Sequence, residues 1–147
     1  MSPMSAMSAQ DRGHRLAPHT SDSIIEAWGP DRLSCFEEAM EALVEIFANP
    51  TDTAVLRSLP VSVDSGPDTD VLVSLLQEEI YLIDVFGVVP VCFHLAGSED
   101  GGISGQMDVM EASEAELTGP VPKGVSYHGL EVRQHDGKWR CRAVVDV

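Results

Sequence analysis

The stretch VSYHGLEVRQHDGKWRCRAVVDV, residues 125–147, decides the fold class. Two β-rich runs, Val125 to Gln134 and Lys138 to Val147, flank His135-Asp136-Gly137, and Asp-Gly between such runs signals a tight hairpin. In the second run Trp139, Cys141, Ala143 and Val145 alternate onto one face, and Arg140, Arg142, Val144 and Asp146 take the other. A period of two describes a strand with one side on a core and one in water. Antiparallel sheet is therefore one layer of the protein.

Closer to the N-terminus the period lengthens. Phe36, Met40, Leu43 and Phe47, with Ala39 and Val44 between, are spaced three and four apart and predict an amphipathic helix of about four turns. Asp31 offers its N-cap, Ser34 with Glu37 a second capping pair, and Asn49-Pro50 its end. Its outer face carries Glu37, Glu38, Glu41 and Glu45. A second helix is set by Leu72, Leu75, Leu76 and Leu82/Ile83, with Glu79 at the margin of the stripe and Gly87 as its stop.

Gly13–Ala17 and Ser23–Trp28 read as short strands around the polar corner Pro18-His19-Thr20-Ser21-Asp22. Val55–Val63 reads as a strand at an edge or with a break, because of Pro60. Val88–Leu95 is nearly all apolar and reads as a central strand. Residues 97–120 read as an acidic loop, a short strand near Gln106–Met110, and another loop. Two helices among about seven strands, without regular βαβ alternation, predict an α+β two-layer domain, its two helices packed on mixed or antiparallel sheet.

The chain has 147 residues, 44% hydrophobic and 22% charged, an ordinary globular balance. The head through residue 12 reads as a disordered tail and residues 13–147 as one domain. The head has neither a basic region nor an apolar run, so no signal peptide and no membrane span are expected, and the protein is expected to be cytoplasmic. Cys35, Cys92 and Cys141 are far apart in apolar contexts and read as buried small hydrophobes. None of His14, His19, His94, His128 and His135 shows metal-ligand spacing.

The net charge is −15. It disfavours direct nucleic-acid binding by the protein alone, since neutralising phosphates takes a Lys/Arg patch. Residues 1–120 carry a net −17 and residues 121–147 a net +2. The acidic part is either a solvated surface or a docking face for a basic partner. Phosphate-loop, zincin, nucleophile-elbow and EF-hand patterns are all missing.

Three places can carry chemistry. Asp22 sits in a polar corner whose side chains otherwise bond nearby backbone. Asp146 lies beside Val147, and their carboxylates together offer oxygen ligands for a hard divalent cation; the alternative is a solvated carboxylate facing Arg140 and Arg142. Lys123, between two prolines and a glycine, can reach a phosphate or a partner acid, or be a plain surface lysine. His128 follows in the strand.

The order of these pieces resembles the archease family from about Gly13 to Val147. The segments that carry the likeness are His19-Thr20-Ser21-Asp22, the acidic helix ending near Asn49-Pro50, and the Leu-rich helix with Leu-Leu-Gln-Glu-Glu-Ile-Tyr-Leu-Ile. Lys123-Gly-Val-Ser-Tyr-His128 and the ending Val144-Val145-Asp146-Val147 complete it. The resemblance implies a protein cofactor rather than an enzyme. It implies activation of an RtcB-type RNA ligase, by promoting ligase guanylylation and multiple turnover in tRNA splicing and RNA repair. It also implies a divalent-cation site, for Ca²⁺ or a similar ion, at Asp22, Asp146 and Val147. Lys123 matches the functional lysine, and with His128 it is the expected contact to partner or phosphate. Ser21 stands where the family commonly has alanine, and Lys-Gly-Val-Ser-Tyr-His replaces Lys-Ala-Val-Thr-Tyr-His.

Two other readings come from different classes. One is a metal-independent protein-binding or chaperone-like module with the same fold. The other is a small hydrolase using Asp22 with His19 or His128.

Overall fold

The computed structural model describes residues 11–19, 22–51 and 57–147. Every strand pairing in it is antiparallel. Strands β1 (Gly13–His19), β2 (Asp22–Gly29), β8 (Gly124–His135) and β9 (Lys138–Asp146) form a four-stranded sheet in the order β1-β2-β9-β8. Strands β4 (Arg57–Val63), β5 (Val88–Gly97) and β6 (Ile103–Glu111) form a second sheet in the order β4-β6-β5. The short strands β3 (Ala48–Asn49) and β7 (Glu116–Leu117) pair with each other.

Two helices supply the other layer. Helix α1 (Arg32–Glu45) packs on β2, β1 and β9 and also meets β5. Helix α2 (Asp68–Phe86) packs on β8, β4 and β5 and against α1. Both helices thus bury residues against both larger sheets, which accounts for their high apolar content. Phe36, Met40, Leu43, Leu72, Leu75 and Leu76 are fully buried, with Ile25, Ala143, Val145, Met107 and Val109 from the sheets. No helix among the described residues is long and apolar enough to cross a membrane.

Local chemistry explains the boundaries. Asp31 caps α1 by accepting from the Ser34 N–H at 2.7 Å, while Ser34 Oγ reaches back to the Asp31 N–H, a reciprocal box that satisfies two orphan donors. The cap is Asp31 with Ser34, not Ser34 with Glu37. The helix ends at Glu45, earlier than Asn49-Pro50, because Ala48 and Asn49 leave to pair with β7. At the β8–β9 turn Asp136 and Gly137 both have positive φ, 53° and 74°, as a two-residue primed turn requires.

Several expectations are corrected. Strand β5 is an edge, not a centre; its apolar run serves the buried face, and a bulge follows Pro90, which has no N–H for the ladder. The centre is β6, nine residues long where a short strand between loops was expected. Glu38 is buried rather than on an outer helix face, because β1 docks there. His14 Nδ1 lies 2.8 Å from Glu38 and its Nε2 2.7 Å from Glu45, and Arg12 bonds Glu38 and Glu37. The bond to Glu38, chiefly, with that to Glu45 and against the cost of burial, pushes His14 up to about 9.

Glu79 departs furthest from expectation. It is fully buried, and neither carboxylate oxygen has a hydrogen-bond partner among the described residues. Burial, with the negative Glu41 as a lesser cause, pushes its carboxyl well above the usual range, so the neutral acid is the form that fits.

Candidate functional site

The four-stranded sheet builds the site. Its outer face is the one turned away from the helices, and on β9 it carries Arg140, Arg142, Val144 and Asp146, as the alternation predicts. Antiparallel register then pairs Asp22 of β2 with Asp146 of β9. Residues directly opposite have Cβ atoms about 4.5–5.5 Å apart. Two carboxylates at that spacing repel in the absence of a counter-charge and can share one cation with ligand distances of about 2.3–2.6 Å. On the other side of β9, Gly124 of β8 also pairs with Asp146. The Lys123 N–H donates to the Asp146 carbonyl at 2.8 Å, anchoring this lysine beside the pair while its side chain remains exposed. Val147 follows Asp146 and is half-buried.

His128 is placed differently. The ladder between β8 and β9 shifts register between Ser126 and Glu131, so His128 is exposed in a bulge, its N–H donating to Ser126 Oγ. Gly129 in the same bulge has φ 76°, and a Cβ there would lie 2.5 Å from the Arg142 guanidinium, which donates to the Gly129 carbonyl. No hydrogen bond or ion pair joins Asp22 to His128 among the described residues. Thr20 and Ser21 of the corner, and the His19 side chain, lie outside them.

Farther along the same face runs a groove of about 840 Å³. It is lined by Arg15, Arg133, Lys138, Arg140 and Arg142, with Trp28 and the acidic Asp11, Glu26 and Glu131 among them. Arg15 pairs with Glu26 and Arg133 with Glu131, while Arg140 lies 5.8 Å from the centre of the Trp28 ring. Five of the nine basic residues of the chain thus meet on one sheet face. The basic balance of residues 121–147 hinted at this strip, but Arg15 joins it only through the β1–β2–β9 pairing.

The cysteines divide. Cys35 and Cys141 are buried, with sulfurs 3.6 Å apart, and the Cys35 thiol together with burial pushes the Cys141 thiol up, away from the reactive thiolate. Cys92 is not a core residue: it is half-buried on the outer face of the β4-β6-β5 sheet. Its Sγ lies 3.0 Å from Asp108 Oδ2 and 3.6 Å from His94 Nε2, and that Nε2 is 3.0 Å from the same Oδ2. Where the sequence spacing of the histidines predicts no metal site, the fold brings His94 together with Cys92 and Asp108. The Cys-x-His spacing places two side chains on one strand face, and the third member comes from the neighbouring strand.

Comparisons with known proteins bear on the whole chain. A family model described as "Archease protein family (MTH1598/TM1083)" matches residues 14–147. A Mycobacterium tuberculosis relative named "Probable protein archease" is 37% identical over 135 residues, covering 92% of this chain and 75% of that protein. "Protein archease" of Pyrobaculum neutrophilum is 26% identical over 139 residues, covering 91% and 95%. The solution structure of Methanobacterium thermoautotrophicum protein 1598 superposes with a TM-score of 0.77 at 22% identity, covering 92% of this chain and 99% of that one. The crystal structure of an "archease, possible chaperone" from Thermotoga maritima gives 0.63 at 18% identity, covering 90% and 96%. These two show a shared fold.

Proposed function

The chain belongs to the archease family, and from that premise we propose that it is a protein cofactor which activates an RtcB-type RNA ligase through a divalent-cation site. It acts in the cytoplasm, promotes guanylylation of the ligase and repeated turnover in tRNA splicing and RNA repair, and performs no catalysis itself. The observation that carries this reading is the register that sets Asp22 opposite Asp146. These carboxylates, with a main-chain oxygen of Val147, make a hard, all-oxygen donor set of the kind that takes Ca²⁺. When bound, the ion removes the repulsion between them and presents positive charge at the end of the sheet. Lys123, tethered beside Asp146, adds a second positive group for a phosphate or a partner carboxylate, and His128 is an exposed contact on the adjoining strand. In the test, Asp22→Ala and Asp146→Ala abolish stimulation of the ligase while the thermal unfolding profile persists. Full stimulation by both variants rejects the site.

A second reading is a metal-independent protein-binding or chaperone-like module. The cationic groove favours it, since that surface can hold an acidic segment with no ion present. Calorimetric titration with Ca²⁺ and Mn²⁺ separates the two readings. Absence of heat at either ion selects the module.

A further inference from the structure

We propose that Cys92, His94 and Asp108 form a second metal site, for Zn²⁺ or a similar borderline-soft transition ion, with these three protein ligands among the described residues. It lies on the outer face of the β4-β6-β5 sheet, whereas the aspartate pair belongs to the other large sheet.

The geometry distinguishes this cluster from a hydrogen-bonded relay. In a nucleophile–histidine–carboxylate relay the two partners engage opposite ring nitrogens. Here Cys92 Sγ and Asp108 Oδ2 both approach Nε2 of His94, at 3.6 and 3.0 Å, and lie 3.0 Å from each other. The three donor atoms therefore form a triangle around a common point. A tetrahedral zinc ion with Zn–S about 2.3 Å, Zn–N about 2.0–2.1 Å and Zn–O about 2.0–2.2 Å spaces its ligands about 3.3–3.6 Å apart. The cluster needs to open by only about half an ångström to match those zinc distances.

The surroundings also suit a metal. Asp108 is on the central strand, directly opposite both Ser58 of β4 and Cys92 of β5, so ladders on both sides hold it. Ser58 Oγ donates to Oδ1 of Asp108, leaving Oδ2 toward the triangle, as an outer-shell group orients a ligating carboxylate. The His94 side chain is 62% exposed, which gives an ion a way in. The other compact group, His14 with Glu38 and Glu41, contrasts with it. There both ring nitrogens of His14 are already engaged by Glu38 and Glu45, and Arg12 neutralises Glu38.

Binding replaces the Cys92 S–H by an S–metal bond and releases that proton to buffer. Thiolate and carboxylate together balance the two positive charges of the ion. The donor set, one sulfur, one nitrogen and one oxygen, favours zinc-class ions over Ca²⁺.

Chelator-treated full-length protein, titrated with Co²⁺, tests the site. One equivalent binds, with a thiolate-to-cobalt charge-transfer band in the near ultraviolet and tetrahedral bands in the visible. Zn²⁺ bleaches both and Ca²⁺ neither. Calorimetry in buffers of different ionisation enthalpy reads one proton released per ion. Cys92→Ser loses the charge-transfer band. His94→Ala, at an exposed position, weakens binding by more than the roughly 10–100-fold expected for Ser58→Ala, the loss of a supporting group. Asp22→Asn leaves Co²⁺ binding unchanged, which keeps the outcome separate from that of the calcium site. The proposal is overturned by absence of the charge-transfer band, by its survival in Cys92→Ser, or by displacement of Co²⁺ by Ca²⁺.

Discussion

Asp22 and Asp146, 124 positions apart along the chain, face each other across adjacent strands at the open end of the four-stranded sheet. Like charges directly opposite destabilise a strand pair. In a chelator, Asp22→Asn is therefore more stable than the parent by about 0.2–1 kcal/mol. Added Ca²⁺ raises the unfolding midpoint of the parent and not of the variant, because an ion that binds only the folded state stabilises it by mass action. Denaturant titrations with and without Ca²⁺ check both statements. A variant no more stable than the parent in chelator contradicts the repulsion.

Glu79 makes stability fall as pH rises. Its folded pKa is raised above the unfolded value, so between the two the folded state holds a proton that the unfolded state has lost. Each pH unit in that interval costs about 1.4 kcal/mol. Glu79→Met, of similar volume and without orphan oxygens, gains about 1–3 kcal/mol at pH 8 and flattens the profile. Urea midpoints from pH 5 to pH 9 test it. A variant less stable than the parent at pH 8 points to an unseen partner for the carboxyl.

His14 acts over a different range. Its folded pKa, about 9, exceeds the ordinary 6.5. Its contribution is complete below pH 6.5 and is lost as pH climbs through about 9. In a Glu79→Met background, which isolates the histidine, His14→Gln lowers the midpoint at pH 6 and leaves it nearly unchanged at pH 10. The ring-proton NMR shift of His14 titrates near 9; titration near 6.5 removes the ion-pair account.

The β8–β9 turn offers a clean backbone test. A Cβ at Gly137 meets nothing within 4 Å, yet φ is 74°. Gly137→Ala thus has no clash and pays only for a left-handed conformation, about 1–2 kcal/mol. A loss of that size in denaturant midpoint, with unchanged slope, is expected. No loss means the turn has rearranged.

Legibility followed the physics of each element. The β9 alternation was readable because one face is wet and the other dry. Both helices were readable from their stripes, but no stripe says what covers its margin, so the burial of Glu38 and Glu79 was not. Strand β6 reads as shorter than it is, near Gln106–Met110, because Ser104 and Gly105 ahead of that stretch are small or polar; its full length comes from partners on both sides. The meeting of Asp22 with Asp146 has no local signature and entered only through family likeness. The Cys92–His94 spacing was visible, but its third member, Asp108, is on another strand and meets it only through the β5–β6 register, which has no local signature.

The place of β9 between β2 and β8 has a temporal consequence. The β1–β2 hairpin is made before β9, and its inner edge lacks that partner until more than a hundred further residues have been made. Closing so long a loop makes assembly slow, and the unsatisfied edge is then a template for neighbouring chains. Newly made copies are therefore most vulnerable to clumping just before synthesis delivers the last strand.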